Sequence, residues 1–359
     1  MKIRPSCLFP FVVLSAVLVL PAFGDEKEAV IGFLTELSGP FAENGADCRE
    51  GDEIALDAFG VPGVRVVFGD TQGDGRTALN ELLKLIDVDG ISAFVANRSQ
   101  VAAALNPISA ARRIPYFAIA AHPDVRESNR WAYRIWPSAR QEAEALAPEV
   151  LRRRHRRLSM IVLEDEYTNA VSARFKRVFE EAGGTVVSSD SISGDVREFT
   201  SLISRVRTAS ADALYVYLGI PQIGPFMRKL REQKVSQQVY TNFWMQTKEA
   251  LQAAGRAADG VYFEDTELSM PAFELRVRQK YGKSTSPLHR VCFLAAGGIL
   301  QAARSTTMPG PAGIFESLSR MKSIETLDAP LPLVDREAVL PLVLKTIQEG
   351  RLSDVPEFR

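Results

Sequence analysis

Apolar runs of strand length alternate with amphipathic stretches of helical period from residue 29 onward. That alternation predicts a mostly parallel sheet covered by helices, an α/β fold. Val30 to Leu34 reads as the first strand, Ser38-Gly39-Pro40-Phe41 as a turn, and the following helix runs to Phe59. Val64 to Phe68 is a second strand, with the loop at its carboxyl end spanning Asp70 to Gly75. Ala78, Leu82, Leu85 and Ile86 then share one helical face. Ile91 to Ala96 forms a third strand, Asn97-Arg98-Ser99 opens another helix with Pro107 inside or beside it, and Ile114 to Ile119 supplies a fourth strand.

The rhythm breaks at Tyr133-Arg134-Ile135-Trp136-Pro137, because Pro137 keeps the residue before it extended and the next helix starts only at about Ala139. This segment reads as a crossing between domains. A second block then repeats the first: strand Leu158 to Leu163, helix Ala170 to Ala182, strand Thr185 to Ser188, helix Phe199 to Val206, strand Ala213 to Tyr217. Ile223, Phe226, Met227 and Leu230 mark one further buried helical face. Helical stretches follow at 273–281 and 288–303, and beyond Pro309 the chain reads as a proline-rich, irregular tail that returns across both lobes.

The start of the chain changes the picture of where this fold works. Lys2 and Arg4 precede an apolar core from Leu8 to Leu20, broken by Pro10 and too short for a comfortable membrane span, and Ala22 and Gly24 stand where a signal peptidase reads small residues. Residues 1–24 are therefore expected to be a signal peptide, with a retained N-terminal anchor as the alternative. The whole chain of 359 residues carries 43 basic and 44 acidic side chains, a formal charge of −1, which gives no reason to expect a nucleic-acid partner. Cys48 and Cys292 are the cysteines beyond the leader; two separately buried thiols are expected, with one long-range bridge as the alternative in an oxidising compartment.

Catalytic patterns are missing. His122, His155 and His289 are isolated from one another, without a His-Glu-x-x-His or cysteine cluster to hold a metal. There is no Gly-x-Ser-x-Gly elbow, and Gly69 to Arg76 lacks the Gly-Lys-Ser/Thr ending of a phosphate loop. No Gly-x-Gly-x-x-Gly follows the first strand, so no enzyme activity, metal or cofactor is expected. Binding is better supported, since open parallel sheets hold ligands beyond the carboxyl ends of their strands. In this chain those ends include residues 35–41, 70–74, 97–99, 120–122, 165–169 and 219–222. Ser99 would offer its hydroxyl and the free N–H groups of a first helical turn to a carboxylate. Tyr167 would close over the ligand from the second lobe.

Four stretches together resemble the periplasmic solute-binding proteins of the branched-chain amino-acid type: Ile31 to Phe41, Gly69 to Asp74, Asp165-Glu166-Tyr167, and Ala211 to Gly219. The resemblance implies the type I periplasmic-binding fold, two Rossmann-like lobes hinged around a ligand cleft. By that resemblance lobe 1 is residues 25–137 with about 264–328, and lobe 2 is 138–263 with about 329–359. It also implies a periplasmic monomer that binds an amino acid or small organic acid and delivers it to the inner-membrane permease of an ABC transporter, or else a ligand-sensing receptor of the same fold. Carried over position by position, the site comprises Ser38 and Phe41 on the rim, Asn97, Arg98 and Ser99 after the third strand, and Ala121 and His122 after the fourth. Tyr167, Gly219, Ile220 and Trp244 follow from the second lobe. This chain departs from the pattern in ways that bear on the ligand. Thr168 replaces the glycine usual after the aromatic, and Asn242-Phe243-Trp244 carries no acid where one often holds the ligand's ammonium. Arg98 and His122 would favour an anionic group, and Phe243 with Trp244 would stack on a flat one.

Overall fold

A computed structural model describes residues 29–60, 62–122, 124–266 and 268–355. The expected signal peptide lies outside these residues. The first block runs β1 (Ala29–Thr35), α1 (Ala42–Phe59), β2 (Val64–Asp70), α2 (Gly75–Lys84), β3 (Ala93–Asn97), α3 (Ser99–Arg112), β4 (Tyr116–Ile119), α4 (Asp124–Glu127) and β5 (Ala132–Arg134). The second runs α5 (Ala139–Arg152), β6 (Arg157–Leu163), α6 (Glu166–Glu181), β7 (Thr185–Ile192), α7 (Thr200–Thr208), β8 (Ala213–Tyr217), α8 (Ile220–Glu232), β9 (Gln238–Thr241), α9 (Lys248–Ala254) and β10 (Tyr262–Thr266). The remainder comprises α10 (Pro271–Tyr281), α11 (Pro287–Ser305), α12 (Pro311–Arg320), β11 (Ser323–Ile324), β12 (Leu331–Val334), β13 (Glu337–Ala338), β14 (Leu342–Gln348) and β15 (Arg351–Asp354).

Among the described residues the strands form two sheets. Eight strands lie in the order β11-β12-β13-β5-β4-β3-β1-β2, and seven in the order β15-β14-β10-β9-β8-β6-β7. Each sheet therefore contains the same five-strand parallel core, β2-β1-β3-β4-β5 in one and β7-β6-β8-β9-β10 in the other. The strand order reverses between β1 and β3, and again between β6 and β8, and ligands bind outside such switch points. Continuous apolar runs make this possible because both faces are covered. Ile31 and Phe33 bury into the layer with Ile54 and Phe293 from α1 and α11, while Val30 and Leu34 bury against Leu82 and Val101 from α2 and α3. No helix among the described residues is long and apolar enough to cross a membrane.

Two expectations are corrected. Cys48 and Cys292 form a disulfide across 244 residues of sequence, with Cα atoms 5.2 Å apart, rather than two separate thiols. The cause is the close approach of α1 to α11 at Gly51, where a Cβ would lie 2.3 Å from the His289 carbonyl oxygen. Beyond Pro309 the chain is not an irregular tail but a helix and five short strands. Strand pairing keeps the chain in the first sheet through Ala338, where β13 pairs with β12 and with β5. The passage to the second sheet thus falls between Ala338 and Leu342, beyond the expected boundary near 328.

Candidate functional site

The turns leaving β1 and β3 meet at the first switch point. Glu36, directly after β1, is fully buried and accepts from Asn97 Nδ2 at 3.1 and 3.2 Å and from Thr35 Oγ1 at 3.2 Å. Burial pushes its carboxyl up, against the opposing pull of the Arg98 charge and these hydrogen bonds. Asn97 Oδ1 accepts from the Arg98 backbone N–H at 2.9 Å, which also donates to the Ile119 carbonyl at 3.1 Å. Arg98 is thereby held at φ 78° and ψ 139°, a region that glycine fills easily and other residues only under constraint. Its guanidinium lies over the Phe41 ring, 3.7 Å from the centroid, and its buried Nε has no hydrogen-bond partner. Burial lowers the Arg98 pKa, while Glu36 and, from the second lobe, Asp165 support its charge. Gly73, at φ +71°, leaves room for this stack, since a Cβ there would sit 2.7 Å from the Phe41 ring.

Between the lobes lies an open cleft of about 630 Å³, its solvent-filled mouth included. Arg98, Ser99 and Gln100 line one side of it, and Tyr167 and Trp244 line the other, with Trp136 at the crossing and Phe243 beside it. The α3 helix has no side-chain cap, so its first-turn N–H groups are left for solvent or a ligand at the same point as the Arg98 guanidinium. Ser99 Oγ is already engaged, accepting the Ala121 N–H at 3.1 Å. That bond ties the loop after β4 to the start of α3, and it takes the Ala121 donor away from any ligand.

The structure brings Asn97, Arg98, Ser99, Ala121, Tyr167 and Trp244 together around this cleft. It does not bring Ser38, Phe41, His122, Gly219 or Ile220 into the lining. Ser38 Oγ donates to Asp70 Oδ2 at 2.6 Å and fastens the turn to the loop after β2. Phe41 acts from beneath, as the surface on which Arg98 rests. His122 faces the second lobe, with Nε2 3.5 Å from Glu166 Oε2. Gly219 and Ile220 start α8.

Sequence reasoning placed Glu36 and Asp165 in strand-end loops without assigning either to the site, and missed Glu142 and Glu264. Glu36 and Asp165 line the cleft, and two more carboxylates stand behind its aromatic wall. Glu142 accepts from Trp136 Nε1 at 3.2 Å and from Tyr167 Oη at 3.1 Å. Burial pushes Glu142 up to about 8 despite those bonds and the Arg134 charge. Glu264, on β10, is pushed well above the carboxylate range by burial, and the Glu142 charge adds to it. The available signal was Glu264 inside an otherwise strand-like run after Val261-Tyr262-Phe263; Glu142 looks like any acid in the first turn of a helix.

The sequence profile described as periplasmic binding protein matches residues 28–344. The Leu/Ile/Val-binding protein homolog 7 of Brucella abortus is 29% identical over 212 residues, which cover 54% of this chain and 52% of that protein. The chain thus spans about half the length of the curated relatives it matches. Among solved structures, a leucine-binding protein from Thermotoga maritima has a TM-score of 0.82 at 19% identity, over 91% of this chain and 97% of the other. A solute-binding protein of an ABC transporter from Rhodopseudomonas palustris, in complex with 3,4-dihydroxybenzoic acid, has a TM-score of 0.79 at 18% identity, over 91% and 95%. These two likenesses establish the type I periplasmic-binding fold with two α/β lobes.

Proposed function

The chain belongs to the periplasmic binding protein family, and from that premise we propose that it is the periplasmic solute-binding component of an ABC transporter, carrying an amino acid or a related small organic acid to an inner-membrane permease. It acts as a monomeric carrier and not as an enzyme. The observation that supports a carboxylate ligand is the convergence of the unpartnered Arg98 Nε and the uncapped start of α3 on one side of the cleft. A carboxylate placed there satisfies a buried cation and the positive end of a helix together. The solute's body then lies against Trp136, Tyr167, Phe243 and Trp244, which accept a branched aliphatic chain or a flat ring.

The relatives carry both ligand classes in their names, leucine/isoleucine/valine in one case and dihydroxybenzoic acid in another. A thermal-shift screen of the purified protein against amino acids, aromatic acids and the matching primary amides tests the reading. A carboxylate-bearing solute at about 100 times its Kd stabilises the fold by roughly 2.7 kcal/mol. Its amide, lacking the anionic end, is expected to stabilise far less. Equal stabilisation by acid and amide would remove Arg98 from its assigned role.

A further inference from the structure

Behind the ligand cleft, Trp136 and Phe243 pack with ring centroids 5.0 Å apart and form a partition. On its far side is a small, partly open pocket of about 230 Å³ including its mouth, lined by Glu142, Glu264, Asp265, Thr266, Leu342 and the same two rings. Glu264 is 3% exposed and neither of its carboxylate oxygens has a hydrogen-bond partner. Both oxygens of Glu142 already accept hydrogen bonds, from Trp136 Nε1 and Tyr167 Oη, an arrangement that suits an ionised carboxylate. The positive side chains nearby are engaged elsewhere: Lys345 on Asp265 Oδ2 at 2.8 Å, and Arg134 on Glu337 Oε1 at 3.2 Å and the His122 carbonyl at 2.7 Å. Ionising both of these buried carboxyls is costly, since the one cation acting on either is Arg134, whose charge reaches Glu142 while its hydrogen bonds go to Glu337 and the His122 carbonyl, and a bound cation would offset that cost.

We propose that this pocket is a site for a single compact monovalent cation of ammonium size, held by Glu142 and Glu264 and faced by the Trp136 and Phe243 rings. The carboxylates supply the charge, and the rings supply the cation–π surface that suits ammonium and potassium. Calcium needs six to eight oxygen ligands, and magnesium keeps several waters; of the lining carboxylates, Asp265 is already taken by Lys345 Nζ and the Thr266 N–H, and the two rings and Leu342 leave too few oxygens for either. The cation could be a free ion or the protonated amine end of a bound solute that passes the partition. Both share the same chemistry.

The test uses the full chain at pH 8 and constant ionic strength, with unfolding followed in tetramethylammonium, sodium, potassium or ammonium chloride and in methylammonium chloride. Ammonium or potassium is expected to raise the melting temperature by several degrees over the bulky tetramethylammonium ion, and Glu264→Gln is expected to abolish the difference. If ammonium protects and methylammonium does not, the occupant is a free ion. If methylammonium protects as well, and saturating ammonium weakens an amine-bearing solute, the occupant is the solute's own amine. Identical melting in all five salts overturns the proposal without reference to any variant, and so does an undiminished ammonium effect in Glu264→Gln. Since the salt series needs no transported solute, its failure would leave the carboxylate reading of the cleft untouched.

Discussion

Arg98 concentrates the functional case in one side chain and one strained peptide. A residue other than glycine at φ 78° and ψ 139° costs of order 1–3 kcal/mol. The fold holds it there through the bonds from its N–H to Asn97 and Ile119. Strain of this kind, at the point where an unpartnered guanidinium nitrogen meets a cleft, is what a site selected for binding would retain. Arg98→Gly separates the two effects. Glycine takes up the same backbone without strain, which is offset only by the lost stacking on Phe41, about 0.5–2 kcal/mol. Ligand-free Arg98→Gly should therefore melt within a few degrees of the wild type or above it, while its affinity for the best carboxylate solute falls tenfold or more, read by calorimetric titration. A variant that binds normally would place Arg98 outside the site. The sequence made Arg98 visible as an unusual residue after the third strand, but not its backbone conformation or its Phe41 support, which depend on residues 57 positions apart in the chain.

At the scale of elements, α1 and α11 show how a sequence can name two helices and still hide their relation. Both helices were legible in the sequence and a bridge between their cysteines was the lesser alternative, yet nothing in either announced that Gly51 lets the backbones approach and brings Cys48 to Cys292. The same interface buries Asp52, which is 1% exposed, with Oδ1 unpartnered. Burial, with the neighbouring Glu53 charge adding to it, raises the Asp52 pKa well above the usual value. A carboxyl raised in the folded state contributes its full stability below its ordinary pKa and loses it as pH climbs through the raised one. Urea unfolding should therefore show the wild type more stable near pH 5 than near pH 8. Asp52→Asn should flatten that slope and gain about 1–3 kcal/mol at pH 8, because a buried carboxylate without a partner is gone. A parallel pH slope in wild type and variant would show that Asp52 is not its source. The acids behind the cleft were hidden for the same reason as the disulfide: Glu142 and Glu264 meet only after α5 and β10 are brought together.

For the molecule as a whole, the two-lobed plan was legible because each block repeats the same alternation, and the repeat became a shared five-strand order. The return crossing was not, because β11, β12 and β13 are two to four residues long and too short to show a period. Three passages join the lobes, before α5, after β10 and between β13 and β14. A few polar interactions already span the open cleft between the two switch points. Arg98 in the first lobe has Asp165 of the second acting on its charge, and His122 stands 3.5 Å from Glu166 across the gap. These interactions draw the two lobes toward each other, so binding of a solute between them is expected to be linked to a change in the angle between lobes. Ligand-free protein populates more open forms to the extent that these few polar contacts fail to offset hydration of the cleft, and the measured affinity is reduced by the fraction that must close. Small-angle X-ray scattering should show a smaller radius of gyration on saturation with the carboxylate solute found in the screen, by the hinge movement that such lobes use. Arg98→Gly at the same solute concentration should stay at the ligand-free value and contract only when the concentration is raised to match its weaker affinity. Full binding without contraction would mean that the cleft is rigid and that entry uses the mouth as it stands.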